Sequence, residues 1–400
     1  MHATQLLHKS FKKSCPKIHD TRLNSLFSAV DNLLLGRRLT LTSLGRSAPG
    51  ESQVKNKIKK VDRLLGNHHI HMELIDCYSA MAHKLIANKL HPIIIVDWAT
   101  VDNRDKFHVL KATLAYEGRG ITIYDQVEYK DRPSKQSNNS HDQFIDTLFK
   151  ILPPNCKPII VTDAAFIAKW FKRIEAHGGY WVGRVRGLVK MRKPDEQTWQ
   201  TCQAMFTKAT VQPTSLGEYI LSKKNPLPCQ LYIYKEPKKG RTRKNRDGSI
   251  KKSTAKEDHQ RSANEPWLLA SNLPKSFNVA KKVVSCYKKR MQIEETFRDI
   301  KDPRYGFGIR ATLSNCKKRV AVLLLIAAIT LLVFGILGHM AYASGVYKHF
   351  QANTIRNRRV LSFWYLGQQV YEHIKPTLTA KDTHYAFKTI LGGIHDYKMD

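Results

Sequence analysis

Ile93-Ile94-Ile95-Val96-Asp97 is a short apolar run that ends in an acid, and the chain repeats this pattern in Ile159-Ile160-Val161-Thr162-Asp163. Short runs rich in β-branched residues predict buried strands. We therefore expect Asp97 and Asp163 each to stand at the end of a strand, where a rigid scaffold rather than a mobile loop holds the carboxylate.

The segments around these two runs predict an α/β fold. Three antiparallel strands followed by a helix, a strand, a helix and a strand is the order of an RNase H-like mixed-sheet core. In that layout the first and fourth strands are neighbours, so Asp97 and Asp163 are predicted to lie next to one another. The elements predicted after residues 93–97 are strands at 109–116 and 121–127, a helix at 141–152, a strand at 158–163, a helix at 165–176 and a strand at 180–185.

Changes in pattern divide the chain into five predicted segments. The core is predicted to be interrupted by a β-rich insertion and flanked by helical regions at both ends. The predicted segments are a helical DNA-binding domain at 1–85, the first part of the core at 86–185, the insertion with a basic loop at 186–265, the second part of the core at 266–343, and a helical region for dimerisation or DNA contact at 344–400.

The charge of the chain indicates a polyanionic partner. Its formal net charge is +34, from 67 Lys and Arg against 33 Asp and Glu. Lysines recur along 52–65, as on the basic face of a helix-turn-helix-like reader, and 235–252 is a densely basic loop. Nucleic acid is the leading candidate, because such a positive excess repels itself in the compact state unless a partner neutralises it.

Targeting and cysteine patterns favour the cytoplasm. The seven cysteines are scattered without a C-x-x-C pair, and the first residues lack the apolar core of a secretory signal. One segment, 320–337, carries no charge and approaches the length of about 20 apolar residues that spans a bilayer. A helix that is apolar all round can equally be the central helix of a large core, and we favour that interpretation over a membrane span.

Four spaced residues between Tyr287 and Lys301 combine one acid with three groups that bind phosphate. Tyr287, Arg290, Glu294 and Lys301 are separated by three, four and seven residues. These steps return to nearly one side of a 3.6-residue helix, so the four side chains are predicted to line a single stripe of one helix.

Three carboxylates indicate a site for divalent cations. Asp97, Asp163 and Glu294 would supply hard oxygen ligands, which Mg²⁺ and Mn²⁺ prefer over His or Cys. Two such cations about 4 Å apart can compensate the charge that develops when a phosphodiester is cleaved or transferred. Any one of these acids alone is more simply a surface or helix-capping residue; the prediction depends on all three converging.

The chain resembles the IS4 family of bacterial DDE transposases. The spacing Tyr287-x2-Arg290-x3-Glu294-x6-Lys301 is similar to the Y-R-E-K signature of that family, and it accompanies the two strand-end aspartates. Further similarity extends over most of the chain, in Arg63-Leu64-Leu65-Gly66-Asn67, Val96-Asp97-Trp98, His141-Asp142-Gln143-Phe144, Arg184-Val185-Arg186-Gly187, Glu265-Pro266-Trp267 and His349-Phe350-Gln351-Ala352-Asn353-Thr354.

The resemblance implies a role for each of these residues. Asp97, Asp163 and Glu294 would be the metal-binding triad that holds two Mg²⁺ or Mn²⁺ ions. Tyr287, Arg290 and Lys301 would hold phosphates of the transposon end, and Arg298 is a further candidate DNA contact. Trp267 corresponds in position to a tryptophan that stacks a base flipped from the terminus, although a core tryptophan that begins a strand is an equally good interpretation.

The function implied is cut-and-paste DNA transposition. Its expected partners are the terminal inverted repeats and the target DNA, with a homodimer bridging both ends, and neither a membrane nor a small-molecule substrate is expected. Two alternatives remain open: an RNase H-like nuclease that cuts without joining strands, and a non-catalytic DNA-binding protein derived from a transposase.

Overall fold

Asp97 and Asp163 belong to two different structural units of the chain. The first unit comprises Met1–Lys157 and Met291–Tyr397, and the second comprises Pro158–Arg290 and Lys398–Asp400. The computed structural model describes residues 2–130, 134–237, 265–276, 278–352, 354–355, 357–373 and 379–399. Most of the predicted basic loop at 235–252 therefore lies outside the described residues.

The elements are numbered in chain order. The helices are α1 (His2–Ser14), α2 (Asp20–Gly36), α3 (Leu41–Arg46), α4 (Val54–Gly66), α5 (His68–Ile86), α6 (Ser134–Ile151), α7 (Ala168–Ala176), α8 (Val279–Lys288), α9 (Met291–Lys301), α10 (Lys317–Ala343), α11 (Phe363–His373) and α12 (Ala380–Gly393). The strands are β1 (Ile93–Thr100), β2 (Phe107–Ala115), β3 (Gly120–Tyr129), β4 (Ile159–Thr162), β5 (Tyr180–Val185), β6 (Lys190–Arg192), β7 (Gln200–Thr201), β8 (Thr214–Leu221), β9 (Leu227–Tyr234) and β10 (Trp267–Ser271). Short 3₁₀ helices span Cys202–Lys208, Ile309–Ala311 and Val346–Phe350.

An antiparallel meander of β1, β2 and β3 forms the sheet of the first unit. β1 pairs with β2 so that Asp97 lies opposite Lys111, and β2 pairs with β3 through a register shift at Ala112/Thr113. The pairing continues past Asp97 to Thr100, so the prediction that Asp97 ends its strand is wrong. Its physical cause is that the antiparallel ladder remains satisfied over three further residues, which a sequence run of apolar residues does not reveal.

The apolar segment predicted at 320–337 is the buried central helix of the first unit. α10 packs against α11, α12, α2, α5 and β3. Its length and composition would allow it to cross a membrane, but 94% of its most apolar 18-residue window is buried inside the structure. The prediction of a buried helix is confirmed. Gly338 makes the close crossing with α11 possible, because a Cβ there would meet the carbonyl oxygen of Phe363 at 1.9 Å.

The N-terminal helices also follow the sequence prediction. Thr40 caps α3 by accepting a hydrogen bond from the backbone N–H of Ser43. Gly45 of α3 approaches Ile58 of α4 so closely that a Cβ would lie 2.5 Å from its Cα. The predicted basic helix at 52–65 is therefore α4, packed tightly against α3.

The second unit is built on a mixed sheet. β4 and β5 are parallel, β10 runs antiparallel to β5, and β9, β8, β6 and β7 follow in antiparallel order. α8 packs on β4, β5, β8, β9 and β10. Strands β6–β9 lie where the β-rich insertion was predicted, and the boundaries of the five predicted segments remain predictions.

The fold is a mixed α/β fold, and its element order is consistent with an RNase H-like core. The strands and helices predicted between 93 and 185 are present in the predicted order, with α6 beginning at Ser134 rather than at 141. One element differs in kind. The predicted continuous helix from Tyr287 to Lys301 is wrong, because α8 ends at Lys288 and α9 begins at Met291.

Candidate active site

Glu294 lines a cleft of the first unit together with basic side chains. It projects from the first turn of α9 and is exposed. The cleft, called here the Glu294 cleft, has a volume of about 490 Å³, which is typical of ligand sites. Its lining residues are Asn103, Glu294, Phe297, Arg298, Lys301, Asp302, Pro303, Gly308, Arg310 and Ala311.

Lys301 is a half-buried base of this cleft. Burial, followed by the charge of Arg310, lowers its pKa to about 8, while the charge of Asp97 opposes this shift. Its ammonium also lies 4.9 Å from the ring centroid of Phe297. A bound anion would therefore stabilise the protonated form of Lys301, because a nearby negative charge raises the pKa of an ammonium group.

Asp97 stands where β1 passes from buried to accessible. The four residues before it are buried, whereas Asp97 and the three after it are half-buried. One carboxylate oxygen accepts the backbone N–H of Trp98 at 2.8 Å. The influence of Asp97 on the pKa of Lys301 shows that the two charges lie near one another, so the first unit brings Asp97 and Glu294 to the surroundings of the same lysine.

Arg298, the further candidate DNA contact, lines the same cleft. It is 62% exposed and donates a hydrogen bond of 2.7 Å to Glu295. An exposed ion pair of this kind is weak, at about 0–1 kcal/mol, so a phosphate can compete for the guanidinium.

Asp163 anchors a second cluster, in the second unit. It follows directly on β4, as predicted, and is half-buried. One of its oxygens accepts the backbone N–H of Ala165 at 2.9 Å. Its charge acts on Tyr287, a buried phenol whose pKa is raised mainly by burial and lowered by Arg290 and Arg184. The second unit thus brings Asp163, Tyr287 and Arg290 together.

Trp267 contacts the same tyrosine. Its ring lies 5.0 Å from that of Tyr287 in an edge-to-face arrangement and 5.6 Å from that of Tyr234. Lys288 completes this aromatic group, with its ammonium 4.7 Å from the centroid of Tyr234. Trp267 is half-buried, which is compatible with both interpretations of it, packing and base stacking.

Arg184 is a functional candidate that the sequence reasoning missed. It lies in β5, hydrogen-bonds Tyr287, and stands 3.8 Å from Glu265. Two of its side-chain nitrogens are buried without a hydrogen-bond partner among the described residues. Buried guanidinium donors of this kind suit a phosphate. The available signal was an arginine inside an otherwise apolar strand, which the sequence reasoning used only as a mark of resemblance.

Carboxylate oxygens are the donors that this site offers to a metal. Asp97 and Glu294 in the first unit and Asp163 in the second fit Mg²⁺ or Mn²⁺ by donor type. Among the residues that the structure describes, no group of three or more His, Cys, Asp or Glu side chains is arranged to hold a metal ion. A shared site for the three acids therefore remains a prediction.

Comparison with known proteins identifies the family. Curated protein sequences give no match to this chain. The family described as "Transposase DDE domain" matches residues 88–333, a range that includes Asp97, Asp163 and Glu294. Because this match covers more than half of the 400 residues, the chain belongs to the family of proteins with a transposase DDE domain.

Proposed function

We propose that the protein is a cut-and-paste DNA transposase of the IS4 family. The observation that carries the proposal is the Glu294 cleft, where an acid, Lys301 and Arg310 converge within the family domain and the charge of Asp97 reaches Lys301. An acid beside several cations is the arrangement expected for a site that holds a phosphodiester next to a metal ligand.

Cations of the cleft would hold the phosphates of the transposon end. With a pKa near 8, Lys301 is mostly protonated at neutral pH, and a bound phosphate would raise that pKa. Arg298 and Arg310 add guanidinium groups, which can engage phosphate oxygens with two hydrogen bonds. These contacts position the DNA backbone and carry no sequence information.

Residues of the second unit would contribute the remaining phosphate contacts. Arg290 supplies a forked donor, and Tyr287 supplies a hydroxyl that burial keeps protonated. Arg184 is added to them because two of its buried nitrogens have no hydrogen-bond partner in the described parts of the chain. Trp267 would stack the base that is flipped from the terminus during hairpin formation.

Asp97, Asp163 and Glu294 are proposed as the carboxylates of a single site. A pair of bound Mg²⁺ or Mn²⁺ ions would supply compensation for the charge that develops on the attacking and leaving oxygens. The support is that each acid is half-buried or exposed, so its carboxylate is accessible, and that two of them are held in strands or directly after one.

The same carboxylates can serve every step of the proposed reaction, since each step is an in-line attack on a phosphodiester. Water nicks one strand at each element end and frees a 3′-hydroxyl. That hydroxyl attacks the opposite strand, which releases the flanking DNA and leaves a hairpin. Hydrolysis reopens the hairpin, and the 3′-hydroxyl then attacks target DNA.

The proposed partners follow from this reaction. They are the terminal inverted repeats, the target DNA, and a second copy of the chain that completes the synaptic complex. A cytoplasmic location with the nucleoid is proposed, without membrane or small-molecule partners. The net charge of +34 supports DNA as the partner.

Strand joining is the test that separates this function from its alternatives. The purified protein is incubated with Mg²⁺ or Mn²⁺ and a plasmid that carries its reading frame with the natural flanking DNA, which supplies the terminal repeats. Excision, followed by joining of the excised ends to a second plasmid, is the expected result. Cutting without joining would favour a nuclease, and binding without cutting would favour a non-catalytic protein.

A further inference from the structure

The turn between β2 and β3 is bound to α9 by five polar contacts, which are hydrogen bonds and ion pairs. The backbone N–H of Tyr116 donates to Gln292 at 2.8 Å. Gly120 both donates to and accepts from the hydroxyl of Thr296, each at 2.9 Å. Arg119 lies 2.9 Å from Asp299 and 3.1 Å from Glu295, so one guanidinium joins the turn to two acids of the helix.

The residues bound to the turn form one stripe of α9 and the cleft residues form another. Gln292, Glu295, Thr296 and Asp299 follow each other at steps of three, one and three residues, which places them on one face of a helix. Glu294, Phe297, Arg298 and Lys301 are all displaced from that face and line the Glu294 cleft. Because both stripes belong to one rigid helix, a contact that fixes the first also fixes the second.

A small rotation of this helix would be enough to misplace Glu294. A helix with its side chains has a radius of about 5–6 Å, so turning it by about 5° moves the tip of a side chain by about 0.5 Å. That displacement is about the tolerance of a working site. Hydrogen bonds weaken steeply as their angle departs from linear, so the turn contacts oppose such a rotation.

Arg119 is the strongest of the turn contacts. Its side chain is 18% exposed and that of Asp299 is 17% exposed, so water screens their attraction only partly. Burial raises the pKa of Asp299 to about 6, while Arg119 lowers it; Glu295 raises it and Arg298 lowers it. The carboxylate therefore depends on Arg119 to remain charged near neutral pH.

We propose that Arg119 is a positioning residue, which sets the rotation of α9 and thereby the placement of Glu294 and Lys301 in the cleft. The proposal rests on the proposed function for its consequence in catalysis, because it assigns to Arg119 a part in the same DNA cleavage. Arg119 itself lies outside the residues that line the cleft, and nothing in the sequence pattern singles it out.

Two variants of Arg119 test the proposal. Arg119→Gln removes the charge and keeps a polar side chain, whereas Arg119→Lys keeps the charge without the two-pronged geometry. Excision is measured on the plasmid with the natural flanking DNA and Mn²⁺, from about pH 5 to about pH 9. Hydrogen exchange of the α9 amides is measured on the same proteins without DNA.

We expect Arg119→Gln to lower the maximal excision rate at least about tenfold, because displacements of the order of 1 Å lower rates by up to about 100-fold. The DNA concentration that gives half the maximal rate should change less than about twofold, since the cleft residues remain. The part of the acid inflection that reports loss of the Arg119–Asp299 contact should disappear, because without the guanidinium the charge of Asp299 no longer holds the turn. Arg119→Lys should restore most of the rate, and exchange in α9 should increase only in Arg119→Gln.

Arg22→Gln is the matched control. Arg22 joins α2 to Glu73 of α5 through hydrogen bonds of 3.0 and 2.9 Å, with side chains 24% and 13% exposed. Its removal breaks a similarly buried ion pair and should leave the acid inflection and the exchange of α9 unchanged.

Different results overturn different proposals. If the unaltered protein does not excise the element, the proposed function fails, and the exchange of α9 still decides whether Arg119 holds the helix. If excision occurs and Arg119→Gln keeps the rate, the inflection and the exchange of the unaltered protein, the positioning role of Arg119 is refuted.

Discussion

Lys111 and Asp125 form a fully buried ion pair beneath the candidate site. Their closest atoms, Nζ and Oδ1, are 2.6 Å apart, and the two side chains are 1% and 0% exposed. The ammonium also lies 5.8 Å from the ring centroid of Phe297 on α9, and Lys111 is the register partner of Asp97. Burial lowers the pKa of Lys111 and raises that of Asp125, and each partner opposes the shift of the other.

Breaking this pair is expected to be more harmful than removing it whole. Asp125→Ala should lower the free energy of unfolding by about 3–5 kcal/mol, because it leaves a buried ammonium unpaired. The double variant Lys111→Met with Asp125→Leu should be destabilised less than Asp125→Ala, since no charge remains in the core. Urea unfolding of Asp125→Ala, Lys111→Met, Asp125→Leu and the double variant measures this; additive effects of Lys111→Met and Asp125→Leu would contradict the coupling.

His339 should make stability fall on acidification. It is 6% exposed, shares a 2.7 Å hydrogen bond with the hydroxyl of Tyr116, and stacks on Phe363. Burial, together with the charge of Arg359, lowers its pKa from 6.5 to about 4. Between these two pH values, His339 is protonated in the unfolded chain but stays neutral in the folded chain. The free energy of unfolding that is present above pH 6.5 is therefore lost as the pH falls towards 4.

At about 1.4 kcal/mol for each unit of pKa difference, this loss amounts to about 3 kcal/mol. In His339→Phe the dependence should disappear. Unfolding of the variant and of the unaltered protein by urea at several pH values measures the difference. A free-energy difference between the two that is constant from about pH 4 to about pH 7 would contradict the prediction.

Asp299 should make the free energy of unfolding change with pH in the direction opposite to that of His339, over nearly the same pH range. Its pKa rises from 3.8 unfolded to about 6 folded, so the folded chain holds the extra proton between those values. The associated stability is present below pH 3.8 and is lost as the pH rises through about 6, again by about 3 kcal/mol. Asp299→Asn should therefore become less destabilised, relative to the unaltered protein, as the pH rises from 4 to 6. A relative stability that moves the other way would refute the raised pKa.

Trp267 is proposed to act at the hairpin step. Stacking on an aromatic side chain is worth about 1–3 kcal/mol per base, so Trp267→Ala should slow hairpin formation by about 5- to 150-fold while the first nick is nearly unaffected. Trp267→Phe should retain part of the hairpin rate. Gel analysis of nicked and hairpin products measures both steps. Equal slowing of the two, together with lower stability, would show that Trp267 only packs against Tyr234 and Tyr287.

The sequence predicted the scaffold well because its signals are local. The apolar runs at 93–97 and 159–163 became β1 and β4, and the uncharged segment at 320–337 became the buried α10. The order of strands and helices between them followed from turn residues and periodicity.

The break between α8 and α9 could not be predicted in this way. No glycine or proline marks it. At the end of α8, the backbone N–H groups of Lys289 and Arg290 donate hydrogen bonds to the carbonyl oxygens three residues earlier, of Cys286 and Tyr287. A local pattern of helical spacing is compatible with either one helix or two, and tertiary packing decides between them.

The long-range contacts of the site were also outside the reach of the sequence. Arg119 meets Asp299 across 180 residues, and Tyr116 meets Gln292 across 176. No helical or strand periodicity links residues so far apart in the sequence, so only the fold shows that the two members of each pair are in contact. Arg184 was missed for a related reason. Its candidacy as a phosphate contact depends on its burial and on its contact with Tyr287, which only the fold shows.

Glu294→Ala is the variant that tests the central claim most directly. Its cleavage of the plasmid with natural flanking DNA is compared with that of the unaltered protein in Mg²⁺, and binding to the same DNA is measured by gel shift. We predict that binding is retained, because Arg298, Lys301 and Arg310 remain, and that Mg²⁺-dependent cleavage is lost. Cleavage at nearly the unaltered rate would contradict the assignment of Glu294 and the site built around it.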